Sequence, residues 1–258
     1  MASGKDSVFK TLFVAVAVCL VCSIVVSFAA VQLRPQQERN KLIDRQSNIL
    51  AVAGFEVAGL NGADIADLYN KRIETRIVDL DSGEYTDAVE PASYDQRAAS
   101  KNPEMSEALS GDEDIASIKR QADYAPVYAV KADDGSIRCY ILPIHGYGLW
   151  STLYGFIAIE PDAQTVYGLG FYDHAETPGL GGEVDNPKWK AQWPGKKLYN
   201  EQGELAIEVV KSGQVKDPEH QVDGLAGASL TTIGVSHLVR FWMSEAGFGP
   251  FLDKLKDS

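Results

Sequence analysis

The chain has 258 residues, 45% hydrophobic and 23% charged, a balance that supports a packed core and argues against a disordered chain. Its formal net charge is −12, unevenly spread: residues 1–45 carry six Lys/Arg against three Asp/Glu, leaving 18 basic and 33 acidic side chains beyond Arg45. An acidic body of this kind repels phosphate backbones, so no nucleic-acid partner is expected.

After a short tail over residues 1–10, there is no Asp, Glu, Lys, Arg or His from Thr11 to Leu33. At about 1.5 Å of rise per residue such a run crosses a hydrocarbon core of roughly 30 Å, which predicts a transmembrane helix over 11–33. The small residues Ser27-Phe28-Ala29-Ala30 offer a signal-peptidase site, but the apolar stretch of a signal peptide is only about 7–15 residues, so the segment reads as a retained single-pass anchor. Cys19 and Cys22 spell CxxC inside this run and read as small apolar side chains, as does Cys139 further on; three cysteines make no disulfide framework. Lys5 and Lys10 precede the span while Arg34, Arg39, Lys41 and Arg45 follow it. Plain counting would leave the body in the cytoplasm, and it does not settle the side.

Residues 34–60 are expected to form a linker helix, with Leu42, Ile43, Ile49 and Leu50 as an apolar stripe. The body, 61–258, then alternates short helices and strands. Ala63 to Tyr69 reads as a helix with Asp64 as its cap, and the polar stretch Asp87 to Gly111 as an insertion holding a short helix near Tyr94 to Ala99. Ala125–Ala132 and Ile137–Pro143 flank the turn Asp133-Asp134-Gly135, and a second hairpin runs from Thr152–Ile159 through Pro161-Asp162 to Thr165–Tyr172. With a further strand at Ala206–Val210, the pattern predicts an α+β domain on a mostly antiparallel sheet.

Chemistry concentrates between Val222 and Gly247. The glycine-rich turn Gly224 to Ala228 leads into the hydroxyls Ser229, Thr231 and Thr232, then into a helix whose apolar face is Val235, Leu238, Val239 and Trp242 and whose stop is Gly247. A turn opening into a helix offers free amides and the positive end of the helix dipole, a good seat for a phosphate; a plain capped helix fits the same residues. No P-loop lysine follows, so a nucleotide triphosphatase is not supported. The four histidines, His145, His174, His220 and His237, lack metal-like spacing, and His174 is the one to test, since it precedes the turn residues of Glu176-Thr177-Pro178-Gly179.

Asp223-Gly224-Leu225-Ala226-Gly227-Ala228-Ser229 resembles the flavinylation motif Asp-x-x-(Ser/Thr)-Gly-Ala-Thr, in which a flavin transferase moves FMN from FAD onto the final hydroxyl. Over essentially its full length the chain is similar to the NqrC family of sodium-translocating NADH:quinone reductases. The likeness rests on the anchor, on Tyr94-Asp95-Gln96-Arg97, on Ile144-His145-Gly146-Tyr147-Gly148-Leu149-Trp150-Ser151, on Glu176-Thr177-Pro178-Gly179-Leu180-Gly181-Gly182-Glu183, and on the ending Gly247-Phe248-Gly249-Pro250-Phe251. Two positions depart from the motif: Ala226 replaces a hydroxyl residue, and Ser229 stands where the family acceptor is threonine. Serine keeps the oxygen nucleophile on a less hindered carbon.

The resemblance implies covalent FMN on Ser229, with Asp223, Gly227, Ala228, Leu230 and Thr231 around the attachment point and Glu176, Thr177, Gly179, Leu180, Leu149, Trp150 and Ser151 covering the ring. Asp223 could orient the turn, assist the transferase's metal, or simply close an Asx-turn. No catalytic residue and no metal ligand is implied for this chain itself, and no nicotinamide fingerprint is present. The family further implies a periplasmic body on a bacterial inner membrane, partners in a membrane complex of six subunits, and electron relay from NADH toward membrane flavins and ubiquinone coupled to sodium export. Two other readings share some of these residues: the homologous G subunit of an ion-translocating ferredoxin:NAD oxidoreductase, and a non-redox, membrane-tethered binding module.

Overall fold

The computed structural model describes residues 8–256, and the chain divides into two units, Met1–Arg45 and Gln46–Ser258. Residues 1–7 of the expected tail, Lys5 among them, lie outside the described residues. Helix α1 runs without a break from Val8 to Val52, so it includes the last part of that tail and passes through Pro35. Among the described residues it is the one helix long and apolar enough to cross a membrane. The helix ends at Val52 rather than at residue 60, in a Schellman cap: Gly54 adopts a left-handed φ of +79°, its N–H donates to the Ala51 carbonyl, and the Phe55 N–H donates to the Leu50 carbonyl. Its last two turns belong to the second unit, where Ile49 and Leu50 are buried.

In that unit, α2 (Gly62–Arg72) leads into β1 (Ile73–Asp79) and β2 (Tyr85–Thr86). The cap of α2 is Asn61, not Asp64: the Asn61 side-chain oxygen accepts from the Ala63 and Asp64 amides, and Asp64 receives the Asn61 side-chain N–H at 2.7 Å. A short helix α3 (Gln96–Ala99), capped by Asp95, and the ribbon β3 (Ser106–Ala108) with β4 (Arg120–Ala122) occupy the polar insertion and its flank. Then come β5 (Tyr124–Lys131), β6 (Ile137–Tyr147), β7 (Thr152–Ile159) and β8 (Val166–Asp173). The six-stranded sheet has the order β2-β1-β5-β6-β7-β8, antiparallel throughout. The β5–β6 ladder stops at Tyr128↔Ile141; continuing that register would set Pro126 opposite Pro143, and neither has an N–H to give.

A 3₁₀ turn (Gly181–Asp185) and α4 (Pro187–Lys190) precede a parallel pair, β9 (Glu208–Val210) with β10 (Gln221–Asp223). β9 is shorter than the expected strand because the amides of Ala206 and Ile207 both turn to the Leu198 carbonyl. Helix α5 (Ser229–Met243) buries Val235, Leu238, Val239 and Trp242 against the sheet, each worth about 1.5–3 kcal/mol of apolar burial, and α6 (Gly249–Lys256) follows. α5 ends at Met243 rather than Gly247. Gly247 instead permits a close approach, since a Cβ there would lie 2.4 Å from the Trp242 carbonyl oxygen.

Two glycines bring the first half of α5 against the end of β6. A Cβ on Gly234 would sit 2.4 Å from the Tyr147 carbonyl oxygen, and one on Gly146 would sit 2.4 Å from the Leu238 Cβ. The Trp242 indole N–H, donating to the His145 carbonyl at 2.7 Å, fixes the same contact further along. The loop after β6 is thereby placed beside the start of α5.

Candidate functional site

The β10–α5 turn is held from below by long-range bonds. The Asp223 amide donates to the Gln192 side chain at 3.0 Å, and its carbonyl accepts the Trp189 indole N–H at 2.9 Å. The Asp223 carboxylate accepts the Gly213 amide at 2.7 Å, a link across ten residues rather than an Asx-turn. A Cβ on Gly224 would collide with the Val210 carbonyl oxygen at 2.3 Å, and Gly227 has a left-handed φ of +75°.

The three hydroxyls that follow are not equivalent. Thr232 is buried and accepts the Leu225 amide at 3.0 Å; Thr231 is buried and donates to Glu176 at 2.7 Å. Ser229, the first residue of α5, is exposed. Ala228 precedes it at the N-cap position without a side-chain cap, and no acidic residue lies in the first turn. The 15-residue helix therefore begins with one exposed hydroxyl beside amides that no side chain of the N-cap residue satisfies, an arrangement that suits a phosphate.

The elements that meet here leave several large apolar side chains exposed. Trp150 is 66% exposed, Leu230 58% and Leu180 44%, with Leu149, Tyr147 and Ile233 also exposed. Leu180 reaches the turn, its Cδ2 lying 3.2 Å from where a Gly227 Cβ would be. Side chains of this kind are ordinarily inside, and a flat aromatic ring is a group they could cover. The residues present therefore fit a flavin bearing a phosphate at Ser229. Tyr147 and Ile233 are not among the site residues that the sequence singles out; Ile233 follows Leu230 at i+3 on one helix face, a spacing that could have found it.

Glu176 organises the rim. Its Oε1 accepts three consecutive amides, from Leu149 at 3.1 Å, Trp150 at 2.9 Å and Ser151 at 3.2 Å, while Oε2 accepts the Thr231 hydroxyl. The Ser151 hydroxyl accepts the Ala175 amide at 2.7 Å, adding a second tie between the two loops. Burial of Glu176 opposes its ionisation, but the bonds from the Thr231 hydroxyl and the Trp150, Leu149 and Ser151 amides outweigh it and hold the carboxyl below its ordinary value. The Thr177 carbonyl receives the amides of Leu180 and Gly182, and Gly179 supplies a left-handed φ of +77°, so the 177–182 loop turns sharply. His174 bonds Asp185 through Nε2 at 2.9 Å and accepts the Glu176 amide at Nδ1.

The two other sequence motifs also meet, from the half-exposed Arg97 to the buried His145. The Arg97 guanidinium lies 3.4 Å above the Tyr154 ring and pairs with Asp173 at 2.9 Å; Tyr154 stacks on His145 at 5.4 Å, and His145 lies 5.0 Å from Trp242. Burial, then the charge of Arg97, push the His145 pKa from 6.5 down to about 4.

The FMN-binding domain family matches residues 148–244, from the Trp150 loop through α5. The chain is 52% identical over 98% of its length to the C subunit of the Na(+)-translocating NADH-quinone reductase of Pseudomonas aeruginosa, covering 98% of that protein, and 51% identical over its whole length to that of Vibrio alginolyticus, again covering 98%. The crystal structure of Shewanella oneidensis NqrC superposes with a TM-score of 0.77 at 35% identity, covering 86% of this chain and all of that one. The corresponding protein of Parabacteroides distasonis gives 0.68 at 28% identity, covering 85% and 96%. The chain belongs to the NqrC family, the C subunits of the Na(+)-translocating NADH-quinone reductases.

Proposed function

We propose that this chain carries FMN joined by a phosphoester to Ser229 and serves as an electron-carrying subunit of a sodium-translocating NADH:quinone reductase. The observation that carries the reading is the single exposed hydroxyl at an uncapped helix mouth, with exposed apolar side chains on the loops tied to that helix, inside a domain of the FMN-binding family. Bound flavin supplies the capacity to accept and release electrons. The residues of this chain do the rest: Ser229 tethers, the first-turn amides of α5 neutralise phosphate charge, and Leu149, Trp150, Leu180 and Leu230 exclude water from the ring. A tether prevents loss of the cofactor from a domain that lies outside the cytoplasm.

In this reading α1 anchors the chain in the bacterial inner membrane, with the body on the periplasmic side and the five other members of the complex as neighbours. A flavin transferase installs the FMN. Electrons arrive from a subunit that oxidises NADH and leave toward membrane flavins and ubiquinone. Mass spectrometry of the peptide spanning Ser229, from chain produced together with a flavin transferase, tests the attachment: an added FMN mass is expected, and an unmodified peptide would refute it. Protease added to intact spheroplasts should degrade the body; a protected body would refute the periplasmic placement.

A further inference from the structure

Three consecutive amides converging on one oxygen form a nest, a backbone shape that binds anions, and here the anion is supplied by the chain itself. The same carboxylate reaches the third residue of α5 through Thr231. Three segments far apart in sequence, the Leu149–Ser151 loop, the Glu176 loop and the start of α5, thus meet at one buried group. Two glycines keep the space open: a Cβ on Gly148 would lie 2.7 Å from Glu176 Oε1, and a Cβ on Gly181 would lie 2.7 Å from Oε2 and 2.6 Å from the Thr231 hydroxyl oxygen.

We propose that Glu176 is a positioning residue for the flavin rather than a ring contact: it locks the Trp150 loop to the flavin-bearing helix and keeps a fixed negative charge beneath the site, which opposes build-up of negative charge on the reduced flavin. Both oxygens are already occupied by partners within the protein, so the carboxylate acts through the loop it holds and through its field. Its hydrogen-bond donors and the N-terminal dipole of α5 keep the charge in place. The inference rests on FMN occupying the surface around Ser229.

The decisive variant is Glu176→Gln, which keeps one oxygen for the three amides and offers an N–H to the Thr231 oxygen, so it removes charge while preserving shape. Full-length chain made with its flavin transferase should retain its flavin in this variant, and the flavin midpoint potential should move to a more positive value. An unchanged or more negative midpoint would overturn the fixed-charge role. Independently, amide hydrogen exchange at Leu149, Trp150 and Ser151, measured in flavin-free Ser229→Ala chain, should speed up by about tenfold or more when Glu176→Ala is added, as expected for loss of bonds to a charged acceptor. Equal exchange would overturn the clamp. If Glu176→Gln emerges without flavin from cells that load the native chain, the role of the charge as a tuner of potential alone is overturned, and the exchange result decides the clamp. A native chain without flavin would instead refute the attachment proposed above, while exchange still reads the clamp.

Discussion

The indole N–H of Trp242 donates to the main-chain carbonyl of His145 across 97 residues of sequence, at 2.7 Å. This bond joins α5, whose first residue is Ser229, to β6, whose end carries the Trp150 loop. Trp242→Phe keeps most of the ring but leaves that buried carbonyl unpaired. A loss of about 1–3 kcal/mol in denaturant unfolding is expected. Unfolding at native stability would show that the bond does not hold the two elements together.

His145 should make stability depend on pH. Its folded value, about 4, lies below the ordinary 6.5 because burial and then Arg97 disfavour the charged ring. Well above pH 6.5 both states are neutral and the group contributes no slope. As pH falls through 6.5 the unfolded chain gains a proton that the folded chain refuses until about pH 4, so stability falls with pH across that window. The loss between pH 7 and pH 5 should be roughly 2 kcal/mol. His145→Phe, which keeps an aromatic ring against Tyr154, should flatten the slope above pH 5; an unaltered slope would assign it elsewhere.

Ser229→Thr should still acquire FMN and Ser229→Ala should acquire none, read as intact mass and as absorbance near 450 nm, roughly where bound flavins absorb. Thr231 and Thr232 should not take over in the alanine variant, because both hydroxyls are buried and bonded within the fold. Flavin on either would contradict the described geometry.

Gly181→Ala places a methyl group 2.6–2.7 Å from the Thr231 hydroxyl and the Glu176 carboxylate. Overpacking of this kind costs about 1–3 kcal/mol, and flavin loading should fall with it. Native melting and full loading would show that the loop relaxes freely.

Removing residues up to Arg45 should leave a folded, soluble body, whereas removal up to Val52 takes away the buried Ile49 and Leu50, each worth about 2–5 kcal/mol. The two truncations should differ clearly in thermal unfolding.

Much of the frame is legible in sequence. The hairpins announce themselves through alternation and through Asp133-Asp134-Gly135 and Pro161-Asp162, and the buried face of α5 follows from its spacing. Misread positions have local causes. Asp64 and Asn61 both suit a cap, and only geometry shows that Asn61 takes the amides. Gly247 looks like a stop, yet serves the contact between Trp242 and Phe248, whose amide donates to the Trp242 carbonyl at 2.7 Å. The Glu176 clamp is a different case. Its partners lie 25 to 55 residues away, and no periodic pattern links a carboxylate to amides at that separation. Likewise the Arg97–Tyr154–His145–Trp242 stack joins sequence motifs whose individual residues give no sign that they meet.

The unequal environments of Ser229, Thr231 and Thr232 bear on the timing of cofactor attachment. In an unfolded chain the three hydroxyls stand within four residues and all are accessible, so an enzyme working on the nascent segment would have only the local sequence and the lower hindrance of serine to guide it. Once α5 has docked, two of the three are withdrawn and one is left. On the proposed attachment, site selection becomes a property of the substrate's own tertiary structure. Maturation then follows folding, and a misfolded domain gains no defined flavin site.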